Sequence, residues 1–256
     1  MSGMIETVDL TKRYGNLHAL RTVSVKVIPG AVTVLLGPNA AGKTTLMEIL
    51  IGMRKPTTGS VTVAGCDPWT EPRPEWRKRV GYLPQEVIPI DYLSGTEYVQ
   101  LMGDLYGMPR GEVNRALPEA LSFFDLRDGA KRRLGTLSTG SRKKTVLCAL
   151  RVCRPDILIL DEPFEGLDPH AIRRLQGWLT QEAERGTTVL LSSHVISLVA
   201  PLAQTLIVIA DGSIRYMGGN PEREAVLLGS ERYADMEELY FAVTGGSDHA
   251  REHCLN

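Results

Sequence analysis

Apolar and polar positions along this chain follow two periods by turns. Short apolar and β-branched runs over residues 5–10, 20–28, 31–36, 60–64 and 80–83 predict strands. Among them, residues 43–50 carry apolar positions at helical spacing. From about residue 86 to 154 the β-branched runs thin out and helical spacing takes over, at 95–106, 112–124 and 139–152. Pro109, Arg110 and Gly111 divide the first two segments, and Pro118 falls in or interrupts the second. Strands return at 157–160, 187–191, 206–209 and 214–216, with a helix at 169–184 that opens on Pro169, a residue suited to a first turn. A further helix is expected around 235–243. Strands alternating with helices predict an α/β fold with a mostly parallel sheet, interrupted by the helical block as an insertion.

One loop departs from the pattern. Gly37-Pro38-Asn39-Ala40-Ala41-Gly42-Lys43-Thr44, followed by Thr45, matches G-x-x-x-x-G-K-[ST] at every fixed position and joins a predicted strand to a predicted helix. Backbone N–H groups in such a loop converge on phosphate oxygens, and glycine permits the close approach. The helix N-terminus adds partial positive charge. Lys43 would reach the β- and γ-phosphates, and the Thr44 hydroxyl would ligate Mg²⁺. Far downstream, the apolar run 157–160 ends in Asp161, Glu162 and Pro163. A buried strand delivers its end to the sheet edge where α/β ligands bind. Asp161 would hold Mg²⁺, directly or through water, and Glu162 would orient or deprotonate an attacking water. Alone, two acids after a strand are by default a solvated strand end; the phosphate loop gives them chemistry.

Composition narrows the partners. Lys and Arg total 29 against 30 Asp and Glu, a net charge of −1. That excludes binding polyanions by bulk charge, so no nucleic-acid partner is expected, but it leaves a local phosphate site open. No run reaches the ~18 apolar residues of a membrane span. The nearest, 195–210, is broken by Ser197, Pro201, Gln204 and Thr205. The first ten residues lack a signal-peptide pattern. Cys66, Cys148, Cys153 and Cys254 have no paired spacing and read as free thiols of a reducing cytosol. His249, His253 and Cys254 read as a polar tail rather than a metal site.

With these motifs in order, the chain resembles the ATP-binding subunits of ABC transporters over roughly residues 5–219. Leu137-Ser138-Thr139-Gly140-Ser141 is similar to the family signature, usually LSGGQ. Thr139 and Ser141 depart from it, while Ser138 and Gly140 match. The resemblance implies that this helix tip meets the γ-phosphate held by a second subunit, so that two subunits sandwich two ATP molecules. Gln85 resembles the glutamine that touches Mg²⁺ or the water. His194, after Ser192 and Ser193, resembles the switch histidine on the γ-phosphate. Asp168 resembles the aspartate that communicates across the dimer, and could equally cap the helix at Pro169. Tyr14 resembles the aromatic that stacks on adenine. Ala40 stands where the family commonly has glycine, at a variable position, and little effect is expected.

The resemblance implies the ABC ATPase fold: a P-loop NTPase core with a mostly parallel sheet, an antiparallel β subdomain near the N-terminus and a helical insertion. The ATPase domain would span 1–219, with the helical subdomain at about 86–154 and a short extension at 220–256. It further implies Mg²⁺-dependent ATP hydrolysis, dimerisation that a homodimer could satisfy without excluding a heterodimer, and an integral membrane transporter subunit as partner. The chain would then be cytoplasmic, peripheral at the inner face of the membrane. The surface between Gln85 and Tyr106, with Tyr92 and Tyr98, is the expected docking groove. Similarity around 77–85, 96–98 and 105–107 to ABC-2-type exporters favours export of a drug, peptide, lipid or polysaccharide. An importer ATPase or a soluble iron–sulfur assembly ATPase is the alternative.

Overall fold

The computed structural model describes residues 5–71, 74–87, 90–221 and 233–245. Among the described residues nine strands run in chain order: β1 (Ile5–Tyr14), β2 (Leu17–Val27), β3 (Val32–Leu36), β4 (Thr58–Val63), β5 (Val80–Leu83), β6 (Ile157–Leu160), β7 (Thr188–Ser193), β8 (Thr205–Ala210) and β9 (Ser213–Gly219). They form an antiparallel sheet ordered β2-β1-β4 and a second sheet ordered β5-β6-β7-β3-β8-β9. The second sheet is parallel except for the β8–β9 pair.

The short apolar runs are continuous because both faces of this sheet are covered. Leu158 and Leu160 of β6 enter one core, with Val32, Val34 and Leu36 of β3 and Leu206 and Val208 of β8. Their neighbours Ile157, Ile159, Leu35, Ile207 and Ile209 enter the other. Successive strand residues point to opposite faces, so a strand sandwiched between two cores is mostly apolar at successive positions, and its buried hydroxyls, such as Thr33 Oγ1 on Thr205 Oγ1 at 2.7 Å, are hydrogen-bonded. The antiparallel sheet and α1 (Lys43–Leu50) cover the second face.

The helical block supplies α2 (Gly95–Leu105), α3 (Arg110–Phe123) and α4 (Thr139–Cys153). A capping box starts α2: Glu97 N–H donates to Ser94 Oγ at 3.2 Å, and Ser94 N–H donates to Glu97 Oε2 at 2.8 Å. Pro118 lies inside α3 rather than ending it. Helix α5 (Pro169–Glu184) has the predicted bounds, α6 (Ile196–Val199) is a single turn, and α7 (Met236–Thr244) puts Met236 and Leu239 into the first core. The 195–210 run is thus α6 followed by β8, its apolar residues turned into protein. Among the described residues no helix is long and apolar enough to cross a membrane. Cys66, Cys148 and Cys153 are free thiols, and the 249–254 tail lies outside the described residues.

One expectation is corrected. Tyr98 is not a free surface residue: it packs against the first core, and burial raises its phenol pKa. Tyr92 is 73% exposed and is the aromatic that a partner could touch.

Candidate active site

Parallel pairing places the ends of β3, β6 and β7 side by side, and each end carries part of the expected chemistry. The loop after β3 closes on Gly42, whose φ of 107° lies in the left-handed region. A Cβ there would fall 2.6 Å from the Ala19 carbonyl oxygen, so only glycine brings the loop into α1. Ala40 also has positive φ, 61°. Left-handed backbone costs a residue with a Cβ about 1–2 kcal/mol. After subtracting the ~0.4–1 kcal/mol that glycine's unfolded freedom takes back, Ala40→Gly is expected to raise the melting temperature by about 1–3 °C. A lower melting temperature in a thermal scan would contradict that account.

Lys43 is 6% exposed and folds back over the loop. Its Nζ donates to Gly37 O at 2.7 Å and Pro38 O at 3.1 Å, and lies 3.3 Å from Glu162 Oε1. The ammonium is held by weak carbonyl partners that a phosphate would outcompete. The loop, from Asn39 through Ala41 and Gly42 to Thr45, lines a cavity of about 350 Å³ together with Tyr14, His18, Gln85 and Glu162. Tyr14 stands at the end of β1, 39% exposed, with Lys12 Nζ 4.9 Å and the Arg54 guanidinium carbon 5.6 Å from its ring centre.

The two acids after β6 sit in different surroundings. Asp161 is fully buried. The Ser192 hydroxyl donates to its Oδ1, while Oδ2 has no hydrogen-bond partner. Burial raises the Asp161 pKa; Ser192, Thr44 and Lys43 draw it back down, and Glu162 adds to the rise. A buried carboxylate oxygen without a partner, beside a hydroxyl and an ammonium, suits a hard cation. Thr44, Asp161 and the amide oxygen of Gln85 are the oxygen donors that fit Mg²⁺. Among the described residues no three His, Cys, Asp or Glu side chains could hold a metal unaided. The donor set is therefore one that phosphate oxygens would complete.

Glu162 is held at its N–H, its carbonyl and Oε1. Its N–H donates to Ser192 Oγ at 2.8 Å, its carbonyl accepts from Lys143 Nζ at 2.8 Å, and Oε1 lies 3.0 Å from His194 Nδ1. Its φ of 44° is left-handed, a strain of about 1–2 kcal/mol that recurs at functional sites. Facing a carboxylate, which only accepts, His194 donates through Nδ1–H. Gln85 is exposed, and its Nε2 donates to Glu165 Oε2 at 3.4 Å.

The structure therefore brings Lys43, Thr44, Asp161, Glu162 and His194 together, with Gln85 at the cavity wall. It does not bring Ser138, Gly140 or Asp168 into that cavity. Ser138 caps α4, accepting from Ser141 N–H at 3.3 Å. A Cβ on Gly140 would fall 2.4 Å from the Gly166 carbonyl oxygen, so this helix tip rests on the loop after Glu162. Asp168 caps α5 by accepting from Ala171 N–H at 2.9 Å, and it also pairs with Lys144 Nζ at 2.6 Å. Both features hold its carboxyl down, to a pKa of about 2, with the Lys144 hydrogen bond the larger cause. Sequence reasoning missed Ser192, which serves both acids, and Lys143, which holds the Glu162 carbonyl. The serine's place at the end of a central strand was the only signal for either.

Comparisons with known proteins identify the family. The ABC transporter family matches residues 20–165. The ABC transporter ATP-binding protein NatA of Bacillus subtilis is 31% identical over 93% of this chain and 97% of its own length. A Nod factor export ATP-binding protein I of Cupriavidus pinatubonensis is 32% identical over 94% and 72%. The doxorubicin resistance ATP-binding protein DrrA of Mycobacterium tuberculosis is 34% identical over 84% and 64%. A solved ATP-binding subunit of an ABC transporter superposes with a TM-score of 0.85 at 28% identity, covering 94% of this chain and 99% of that one.

Proposed function

Since the chain belongs to the ATPases that serve as ATP-binding subunits of ABC transporters, we propose that it is the Mg²⁺-dependent motor of an exporter whose membrane pathway is a separate polypeptide. The observation that carries this reading is the meeting of Lys43, Glu162 and His194 through Glu162 Oε1, beside the unpartnered Asp161 oxygen. In that arrangement ATP lies along the loop with its adenine toward Tyr14. Lys43 leaves the Gly37 and Pro38 carbonyls for the β- and γ-phosphates. Thr44 and Asp161, with Gln85 near, would hold Mg²⁺, which would supply neutralising charge on the phosphates. A water oxygen bonds to the γ-phosphorus as the bond from that phosphorus to the β,γ-bridging oxygen breaks. The water's proton passes to the Glu162 carboxylate, the electron pair leaves with ADP, and inorganic phosphate is released. His194, donating through Nδ1–H, keeps Glu162 aimed at the γ-phosphate.

The loop and the acids supply one half of a site. The α4 tip, with Ser138 and Gly140 outside the cavity, supplies the other half to a second copy. ATP bound between two copies would draw them together, and hydrolysis would release them. Export rests on the relatives named for Nod factor export and doxorubicin resistance. The partner's docking surface includes the exposed Tyr92.

The test is purification of the tagged full chain from native membranes in detergent with ATP and Mg²⁺. A polytopic membrane protein at near 1:1, whose presence stimulates phosphate release, is the expected result. Soluble partners only, with the same ATPase rate, would withdraw the transporter reading.

A further inference from the structure

Three consecutive cations open the exposed-looking start of α4, and they have three different fates. Arg142 donates to the Leu134 and Gly135 carbonyls at 3.0 and 2.9 Å. Lys144 pairs with Asp168. Lys143 turns inward, 1% exposed, and donates to the Glu162 carbonyl oxygen. A buried ammonium is costly, and an apolar side chain of like volume fills such a space at less cost. Stability alone therefore does not ask for lysine here.

The backbone of Glu162 does. Its φ is left-handed, and relaxing to the ordinary region would swing the Cα–Cβ bond and carry the carboxylate away from Lys43 and His194. Within the turn, Glu165 N–H also reaches the Glu162 carbonyl, at 3.3 Å, and two side chains from other elements anchor the residue, one at each side: Ser192 Oγ from β7 and Lys143 Nζ from α4, the latter closer at 2.8 Å. The second belongs to the helix whose tip carries Ser138 and Gly140. Burial lowers the Lys143 pKa, and Glu165, Glu162 and Asp161 draw it part of the way back.

We propose that Lys143 is a positioning residue: it fixes the aim of the Glu162 carboxylate and ties that aim to the orientation of helix α4. An α4 tip engaged by a second copy's nucleotide is then felt at this copy's own Glu162 through one side chain. The inference rests on the ATPase reading above and deepens it.

The experiment compares wild-type, Lys143→Met and Lys143→Arg full-length proteins in Mg²⁺-dependent phosphate release, ATP titration and thermal melting. Methionine keeps the volume and removes the donor; arginine keeps a donor. Lys143→Met is expected to lower kcat at least tenfold, with KM for ATP within about twofold and no fall in melting temperature. Arginine is expected to return kcat to within about threefold of wild type. An unchanged kcat in the methionine variant overturns the proposal, as does a loss that arginine leaves unrelieved or that tracks a lower melting temperature. A wild-type protein without ATPase activity would fail the functional reading instead, so the two failures are separable.

Discussion

Glu162→Gln is expected to lower ATP hydrolysis by about 10²–10⁴-fold, the usual worth of a positioned general base, with little change in KM for ATP. Glutamine keeps the side-chain volume and an oxygen for His194 Nδ1–H, 3.0 Å away in the wild type. It loses the basicity that accepts the water's proton, and the charge that faces Lys43 at 3.3 Å. Losing that charge leaves Lys43 freer to turn to phosphate, so ATP should bind at least as tightly. The variant should accumulate as an ATP-bound pair of copies, read by size-exclusion chromatography with ATP present. Phosphate release above a tenth of the wild-type rate would remove Glu162 from the role of base.

Asp161→Asn is expected to separate stability from function. Burial raises the Asp161 pKa, so the folded protein holds that proton more tightly than the unfolded chain does. Stability from this group is therefore lost as pH rises from the ordinary carboxylate value through the raised folded one. The neutral asparagine escapes that loss and still accepts from Ser192. Without nucleotide, the variant should melt higher than wild type at pH 7, and the gap should shrink as pH falls toward about 4. With Mg²⁺ and ATP the order should reverse. A ligand at 100 times its Kd adds about 2.7 kcal/mol to wild-type stability, and the variant should gain little from the metal. Its hydrolysis should fall by about 10²-fold or more, as several kcal/mol of metal stabilisation are lost. Thermal scans from pH 5 to 8, with and without Mg²⁺ and ATP, check both halves. A gap independent of pH would refute the assigned cause.

Much of this was legible because local chemistry and fold agree. The apolar runs at β3, β6 and β8 announce strands, since each position is buried on one face or the other. Asp168 and Pro169 mark the start of α5 by capping and fixed φ. The glycines and lysine of the phosphate loop carry their chemistry in their own order. What stayed hidden depends on through-space neighbours. Nothing in the order Arg142, Lys143, Lys144 sets one cation apart, and only the packing of α4 on the Glu162 loop separates the buried lysine from the others. Ser192 stands just past the strand expected at 187–191, and its reach to both acids shows only once β6 and β7 lie side by side. Tyr98 and Tyr92 look alike in sequence, yet one is wedged against a core and the other faces solvent. Ala40 gave no sign of its left-handed backbone, because alanine is ordinary almost everywhere else.

The sheet order carries a consequence for how the chain assembles. β3 lies between β7 and β8, with Val32 beside Val189 and Thr33 beside Thr205. The antiparallel sheet, by contrast, draws all its strands from Ile5 to Val63. On a ribosome that sheet can close early, while β3 waits with both edges bare until β7 and β8 have emerged. Such long-range parallel pairing is slow and leaves strand edges open to wrong partners. The phosphate loop is thus seated late in folding, after nearly the whole ATPase core has been synthesised. A nascent chain released before β8 emerges would carry every residue of the loop and have no sheet to hold it.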